Sequence, residues 1–339
     1  MFTKLDEEVI SILRCPLCKG EVGPEGERFV CADCRSEYPR VKVRHSDHDE
    51  YVYDFRIHRP AYCEPVVAQS WAEMQGWYEK FHAKYAALDD MNIYAAEVDA
   101  VREIYTEEFS IEGAVLDVGG HQGRLRRYLD EKVTLYVDVD PFLECFRGLE
   151  SQPNLLSAFP QLKEPANFLS CQAEYLPFAA NSFDWVHMRS VLDHFYDPYT
   201  ALKEAYRVLK PGGSIMIGVS IEDEHEHEAH GDAGAGADGQ EAQSAAASPS
   251  LASRVYGKVE RDGILGLTKS VMRRMTGANN VSVPVEAPPA VDPVDADNHM
   301  FHWDHDNLID LLRATNYTVT KEHWQKPPYT FVIYVTAKK

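Results

Sequence analysis

The sequence has no run of about 18 apolar residues, so nothing in it reads as a membrane-spanning helix. Met1 to Glu8 lacks a basic start leading into an apolar stretch, so no secretory leader is expected there. Positive charge is scarce. Lys and Arg total 34 against 54 Asp and Glu, a net charge of -20 over 339 residues. A surface of that sign repels phosphate backbones unless a local basic patch overrides it, which disfavours a bulk nucleic-acid binder. Cysteine is sparse and odd in number, seven in all, which argues against a disulfide framework in a chain without an export signal. These absences lead us to expect a cytoplasmic protein. What is present is ordinary: 45% hydrophobic and 11% aromatic residues, enough for a core, and a length that favours two units.

Four cysteines, Cys15, Cys18, Cys31 and Cys34, form two C-x-x-C pairs. Each pair puts two thiolates on one tight turn, about the spacing that a tetrahedral Zn2+ needs. Four protein ligands leave no open coordination position, so such an ion is structural. The competing reading is a redox pair, but redox motifs come singly on a βαβ unit. The stretch from Leu13 to Val43, with Glu37-Tyr38-Pro39 after the second knuckle, resembles the zinc ribbon of the Trm-type methyltransferase activator subunits. That family continues with an Ile and a Gly-Ile-Pro turn; Arg40-Val41-Lys42-Val43-Arg44 stands there instead. The resemblance implies a ribbon of a kind that binds and stabilises methyltransferases and is also found fused to them.

His45 to Glu50 is polar and reads as a boundary. Two helices are expected after it, Val66 to Leu88 and Asn92 to Phe109. In the first, Trp71, Met74, Trp77, Tyr78, Phe81, His82 and Tyr85 recur at helical steps. Core packing explains that stripe. The sharper alternative has Tyr78, His82 or Tyr85 capping a bound ligand.

From Gly113 the pattern changes to short apolar runs ending in acids or glycines. Ala114 to Val118 reads as a buried strand, opening into Gly119-Gly120-His121-Gln122-Gly123 and a helix from Arg124 to Asp130. A strand, glycine turn and helix make a nucleotide crevice at the carboxyl end of a parallel sheet. The next strand, Val133 to Val137, ends in Asp138, about 20 residues beyond the turn, where such folds set an acid against ribose hydroxyls.

The later segments separate this from a dinucleotide site. Gln172-Ala173-Glu174-Tyr175-Leu176-Pro177-Phe178 follows a third strand. Then come Ser182-Phe183-Asp184, Val191-Leu192-Asp193-His194 and Arg207-Val208-Leu209-Lys210-Pro211-Gly212-Gly213. In this order they resemble class I methyltransferases of the UbiE/type 11 group, over about Ala114 to Val219 and again from His302. The resemblance implies an S-adenosylmethionine (SAM)-dependent methyltransferase with a Rossmann-like α/β sheet of order 3-2-1-4-5-7-6. It also implies cofactor residues: Asp117, Gly119, Gly120 and Gly123 for the methionine end, Asp138 for the ribose, Gln172 and Ala173 beside adenine, and Arg189 near the methyl group. His121 stands where the family has its middle glycine, and its side chain is expected to crowd the methionine carboxylate or hydrogen-bond to it.

Glu222 to Ser250, acidic and without Lys or Arg, reads as disordered. Its His225, His227 and His230 read as solvated rather than metal-binding. Leu251 to Gly277 carries basic residues and helically spaced apolar ones, a candidate lid; peripheral membrane contact is the alternative. The expected organisation is therefore a zinc ribbon over 1–45, a helical linker over 46–110, and the methyltransferase domain over 111–220 and 298–339. The insertion occupies 221–297.

Methyl transfer to a hydroxyl needs positioning and a base, and histidine suits neutral pH. His194, just after the fourth strand, is the first candidate and His302 the second. Asp193-His194-Phe195-Tyr196 replaces the N-P-P-Y type of sequence that marks amino-group methylation of bases, so O-methylation of a small polar molecule is expected. An RNA methyltransferase gripping its substrate with the ribbon, and a non-catalytic scaffold, are the alternatives.

Overall fold

The computed structural model describes residues 3–43, 50–57, 69–77, 88–143, 145–146, 148–221, 300–325 and 331–339. The N-terminal part comprises β1 (Thr3–Lys4), α1 (Glu7–Ile12), β2 (Val22–Glu25), β3 (Arg28–Cys31), β4 (Glu37–Val43) and β5 (Glu50–Asp54). A helical segment over 69–77, α2, precedes α3 (Met91–Glu103). The second part holds β6 (Gly113–Val118), β7 (Val133–Val139), α4 (Pro153–Ala158), β8 (Ala166–Ser170), β9 (Phe183–Arg189), α5 (Pro198–Val208) and β10 (Leu209–Ser220). It closes with α6 (His305–Ala314), β11 (Thr318–Trp324) and β12 (Val332–Lys338).

Apolar runs bounded by turns make the central strands. In β6, Ala114, Val115, Leu116 and Val118 are all buried, as in a parallel strand covered on both faces. The sheet order is β11-β12-β10-β9-β6-β7-β8-β5-β4-β3-β2. Within the second part this is 3-2-1-4-5-7-6, parallel except where β12 pairs antiparallel with β10 and β11. It is a class I Rossmann-like methyltransferase sheet. Helices start where the sequence supplies a cap. The Asp90 carboxylate accepts from Asn92 N at 2.9 Å, Asp197 from Thr200 N at 3.0 Å, and Asp304 from Asn307 N at 2.7 Å. Helix α5 turns Ala201, Leu202, Ala205 and Val208 inward, all wholly buried. Full burial of a Leu or Val is worth about 1.5–3 kcal/mol.

The segment after the polar boundary is a strand, not a helical linker. β5 pairs antiparallel with β4 and parallel with β8 (Tyr53 opposite Leu169), so both parts share one sheet. Its inward face carries Glu50, Val52 and Asp54, and the two acids hide the alternation that marks a strand. Glu50 is tolerated because its Oε1 accepts from Thr3 N at 2.8 Å and Thr3 Oγ1 at 2.5 Å. The N-terminal part also docks on Leu176-Pro177-Phe178. Arg14 N donates to Pro177 O at 2.9 Å, and Ala179 N to Ile12 O at 2.8 Å. Lys19 meets Glu204 of α5 at 2.6 Å. One hydrophobic core runs from Val9, Leu13 and Phe29 to Leu116, Val186 and Leu202.

The helix expected over Arg124 to Asp130 is a single 3-10 turn, Arg124–Arg127. Asp130 turns the chain at once by accepting from Lys132 N at 2.9 Å, and β7 follows, leaving no room for a longer helix. Met91–Glu103 and the following π turn, Ile104–Glu108, occupy the second expected helix. Tyr78, His82 and Tyr85 lie outside the described residues, as does the insertion from Glu222 with its three histidines and the Leu251 to Gly277 segment.

Candidate active site

A cavity of about 320 Å3 opens at the carboxyl ends of β6, β7 and β9. That is where open α/β sheets bind ligands. Asp117, Gly119, Gly120 and His121 form its floor, Gln172 and Ala173 one wall, and Arg189 and His194 another. Gly119 has φ +71°, and a Cβ there would stand 2.5 Å from Val191 Cγ1. Only glycine meets both conditions. Gly119 N donates to Val139 O at 2.7 Å, which pins the turn to the end of β7. Gly123 closes the turn but does not line the cavity.

His121 also adopts a left-handed conformation, φ 56°, which for a non-glycine residue stores strain of the kind found at ligand sites. Its N–H donates to Asp140 Oδ2 at 3.1 Å. Its ring stacks on Phe142, with centroids 5.6 Å apart at 29°. The imidazole therefore packs against Phe142, and both line the cavity.

The structure places the two acids at the end of β7 differently. Asp138 is wholly buried and does not line the cavity. It lies inside the ladder, opposite Asp117, with its carboxyl beneath Gly120. Asp140, two residues on and just past the strand end, lines the cavity. Its oxygens accept from His121 N and, at 2.8 Å, from Phe142 N. Burial raises Asp140 to about 7 against the pull of those two N–H groups. The sequence signal was the doublet Asp138-Val139-Asp140, in which only the second acid clears the sheet.

Gln172 spends its side chain on the N-terminal part. Its Oε1 accepts from Ile57 N at 2.9 Å and its Nε2 donates to Ile57 O at 3.0 Å. Arg56, held bidentately by Asp54, donates to Pro141 O at 3.2 Å. The chain leaving β5 thus braces Gln172 and Pro141, which line the cavity. Glu174 is buried in the same wall, accepting from Tyr196 N at 3.1 Å and Asp197 N at 3.2 Å, and burial raises it to about 8.

Three cavity residues form a chain that sequence reasoning missed. His187 Nδ1 lies 2.7 Å from Asp117 Oδ1, and His187 Nε2 lies 2.7 Å from the Tyr105 hydroxyl. Tyr136 donates to Asp117 Oδ2 at 2.6 Å. An ionised Asp117 only accepts, so it fixes the proton on Nδ1, and Nε2 then accepts from Tyr105. The available signal was a histidine inside the apolar run Trp185-Val186-His187-Met188, in register with Asp117. Arg189 Nε donates to Tyr334 OH at 3.0 Å. His194, half-buried, has Nε2 at 3.8 Å from Asp193 Oδ1, and its backbone carbonyl accepts from Trp71 Nε1 at 3.1 Å. His302 is exposed and is not among the lining residues.

The four knuckle cysteines gather apart from this cavity, with all their sulfurs within 4.8 Å of one another. Cys15 Sγ is 3.5 Å from Cys34 Sγ, and Cys18 Sγ is 3.4 Å from Cys31 Sγ. Those separations approach the edge of roughly 3.8 Å that a tetrahedron with 2.3 Å Zn–S bonds requires. The two turns repeat each other: Lys19 and Arg35, each following a knuckle, both have positive φ, at 63° and 60°.

Residues 116–217 match a family profile described as a methyltransferase domain. The chain carries a methyltransferase domain. It is 32% identical over 130 residues to an uncharacterised methyltransferase of Bacillus subtilis, covering 38% of this chain and 49% of that one. It is 31% identical over 149 residues to the ubiquinone/menaquinone biosynthesis C-methyltransferase UbiE of Legionella pneumophila, covering 41% of this chain and 57% of that one. The chain thus spans about half the length of these curated relatives. Among solved structures, the 1,6-didemethyltoxoflavin-N1-methyltransferase of Burkholderia thailandensis aligns with 93% of this chain and 99% of its own. Its identity is 14% and its TM-score 0.42. Among the described residues no helix is long and apolar enough to cross a membrane.

Proposed function

We propose that this protein is a SAM-dependent methyltransferase that transfers a methyl group to oxygen of a small polar acceptor, such as a sugar or a biosynthetic intermediate. The observation that carries this is the coincidence of the cavity with the matched domain: the Gly119 turn, Asp140 and Arg189 all converge there. The donor set fits the cofactor. Asp140 offers a carboxylate to ribose hydroxyls at the strand end, and Phe142 and Ala173 offer a slot for adenine. The Gly119-Gly120 backbone leaves space for the methionine end. When bound, SAM would supply an electrophilic methyl group on its sulfonium sulfur, with the neutral thioether of S-adenosylhomocysteine as the leaving group. The protein's own task is to orient the acceptor, exclude water and take up the acceptor's proton. His194, in the wall beyond Arg189, is the candidate base. The four cysteines are read as a structural zinc site that holds the β2–β3 hairpin and the knuckles in place.

The test is S-adenosylhomocysteine (SAH) release from SAM against a panel of hydroxylated small molecules, with the methylated atom located by mass spectrometry. Transfer to oxygen supports the reading, and His194→Gln should then slow turnover. Transfer only to RNA, with affinity falling steeply in salt, favours the RNA alternative. Binding without turnover on either class favours the scaffold.

A further inference from the structure

Three carboxyls converge under the cavity floor. Asp117 is the penultimate residue of β6, and Asp138 and Asp140 lie on and just past the end of β7. Two of them are accounted for. Asp117 accepts from Tyr136 and lies against His187, and Asp140 accepts from two backbone N–H groups. Asp138 differs. It is wholly buried, and neither of its oxygens has a hydrogen-bond partner among the described residues. It lies one atomic layer below the cavity. A Cβ added to Gly120 would come within 2.5 Å of Asp138 Oδ1 and 2.6 Å of the Asp117 carboxyl.

The charges around Asp138 do not favour its ionisation. Asp117 faces it from β6 and Asp140 from its own strand, and both oppose a negative charge. Phe168, opposite it on β8, brings no charge. Among the described residues Arg126, from the 3-10 turn after the glycines, is the opposing cation, and it also donates to Gly123 O and Glu164 O. Burial reinforces the like-charge repulsion, and both hold the carboxyl well above the usual carboxylate range. Burial and the two neighbouring carboxyls therefore favour the protonated form of Asp138 in the empty protein. What would ionise it is a cation arriving in the cavity above.

We propose that Asp138 reads the charge of the cofactor, making the site prefer the sulfonium of SAM to the neutral thioether left after transfer. This rests on the reading of the cavity as a SAM site. As the cation enters, the Asp138 carboxyl loses its proton to solvent. When the S–CH3 bond breaks and the sulfur becomes neutral, the carboxyl regains a proton and the site loses its preference for what it holds. Asp138 thereby favours substrate over product. Asp140 lines the cavity and feels the cation as well, so the Asp138 variant is needed to separate the two titrations.

The test is titration calorimetry with SAM, SAH and sinefungin, whose amine supplies a cation in place of the sulfonium. Runs in buffers of differing ionisation enthalpy count protons. Between about pH 5.5 and 7, where the ligands' α-amino groups stay protonated, SAM and sinefungin should each release about one proton more than SAH. The preference for SAM over SAH should grow roughly thirtyfold with rising pH across that range, about tenfold per pH unit. Asp138→Asn, which keeps the shape and removes the titration, should flatten the preference and leave SAH affinity unchanged. Equal proton release for SAM and SAH, or a ratio that ignores pH in the native protein, overturns the inference. Should the variant fail to fold, the proton count on the native protein still decides. Absence of binding by all three ligands overturns the cofactor-site reading itself, a separate outcome.

Discussion

Three glycines separate the two reasons for conserving space in a backbone, and their alanine variants should rank accordingly. Gly212 has φ +77° and nothing within 4 Å of an added Cβ, so Gly212→Ala costs only conformational strain, about 1 kcal/mol. Gly120 has ordinary φ, but its Cβ would meet Asp138 Oδ1 at 2.5 Å and Asp117 Oδ2 at 2.6 Å. Neither carboxyl can retreat, because Asp138 is enclosed by the sheet and Asp117 is held by Tyr136 and His187. That is overpacking, worth about 1–3 kcal/mol. Gly119 combines φ +71° with Val191 Cγ1 at 2.5 Å, so Gly119→Ala should lose the sum, about 2–4 kcal/mol. Urea unfolding would rank stability, and calorimetry with SAM would rank binding. Gly212→Ala should bind normally, while Gly120→Ala and Gly119→Ala should bind at least about tenfold more weakly, because the floor must move. The reasoning is refuted if Gly120→Ala matches the native protein in both assays, or if Gly212→Ala proves the most damaging to binding.

Stability of the ligand-free protein should fall as pH rises from about 4 towards 8. Asp140 and Glu174 have raised values, about 7 and 8, so the folded state binds more protons than the unfolded state across that window. The stability slope is negative wherever that holds, and the full value is present only below the ordinary carboxylate pKa. Raising Asp140 to about 7 corresponds to about 4 kcal/mol at roughly 1.4 kcal/mol per tenfold. Thermal unfolding at a series of pH values checks this, and a flat profile over pH 4 to 8 would count against it. Gln172→Ala should cost about 1–3 kcal/mol, because Ile57 N and O both lose a buried partner, and it should weaken SAM binding by loosening the rim at Arg56 and Pro141. Unchanged affinity would mean that β5 and the rim are energetically separate. Cys15→Ser should abolish zinc binding and lower the melting temperature of the whole chain, since Cys15 lies in the shared core against Tyr38 OH at 3.0 Å. Undiminished zinc content would exclude the four-cysteine site.

Much of the sheet was legible because its central strands β6 and β7 are largely apolar runs that end at a glycine or an acid. The order of motifs from Gly119 to Gly213 then implied which strand lies where. Two features escaped. β5 did not read as a strand, because Glu50 and Asp54 occupy inward positions and are paid for by Thr3 and Arg56, contacts distant in space from any sequence rule. Spacing from the glycine turn also cannot tell Asp138, still within the ladder, from Asp140, just beyond it and lining the cavity. His187 illustrates the same limit. A histidine in a buried strand is silent until its register partner is known, and the partner is Asp117.

The most direct test of the account is calorimetric titration of SAM and SAH into the native protein and into Asp140→Asn. Both ligands should bind the native protein with micromolar affinity, and both should lose at least about tenfold in the variant, because each carries the ribose for which Asp140 is proposed. No binding to the native protein, or binding that Asp140→Asn leaves intact, would contradict the placement of the cofactor in this cavity.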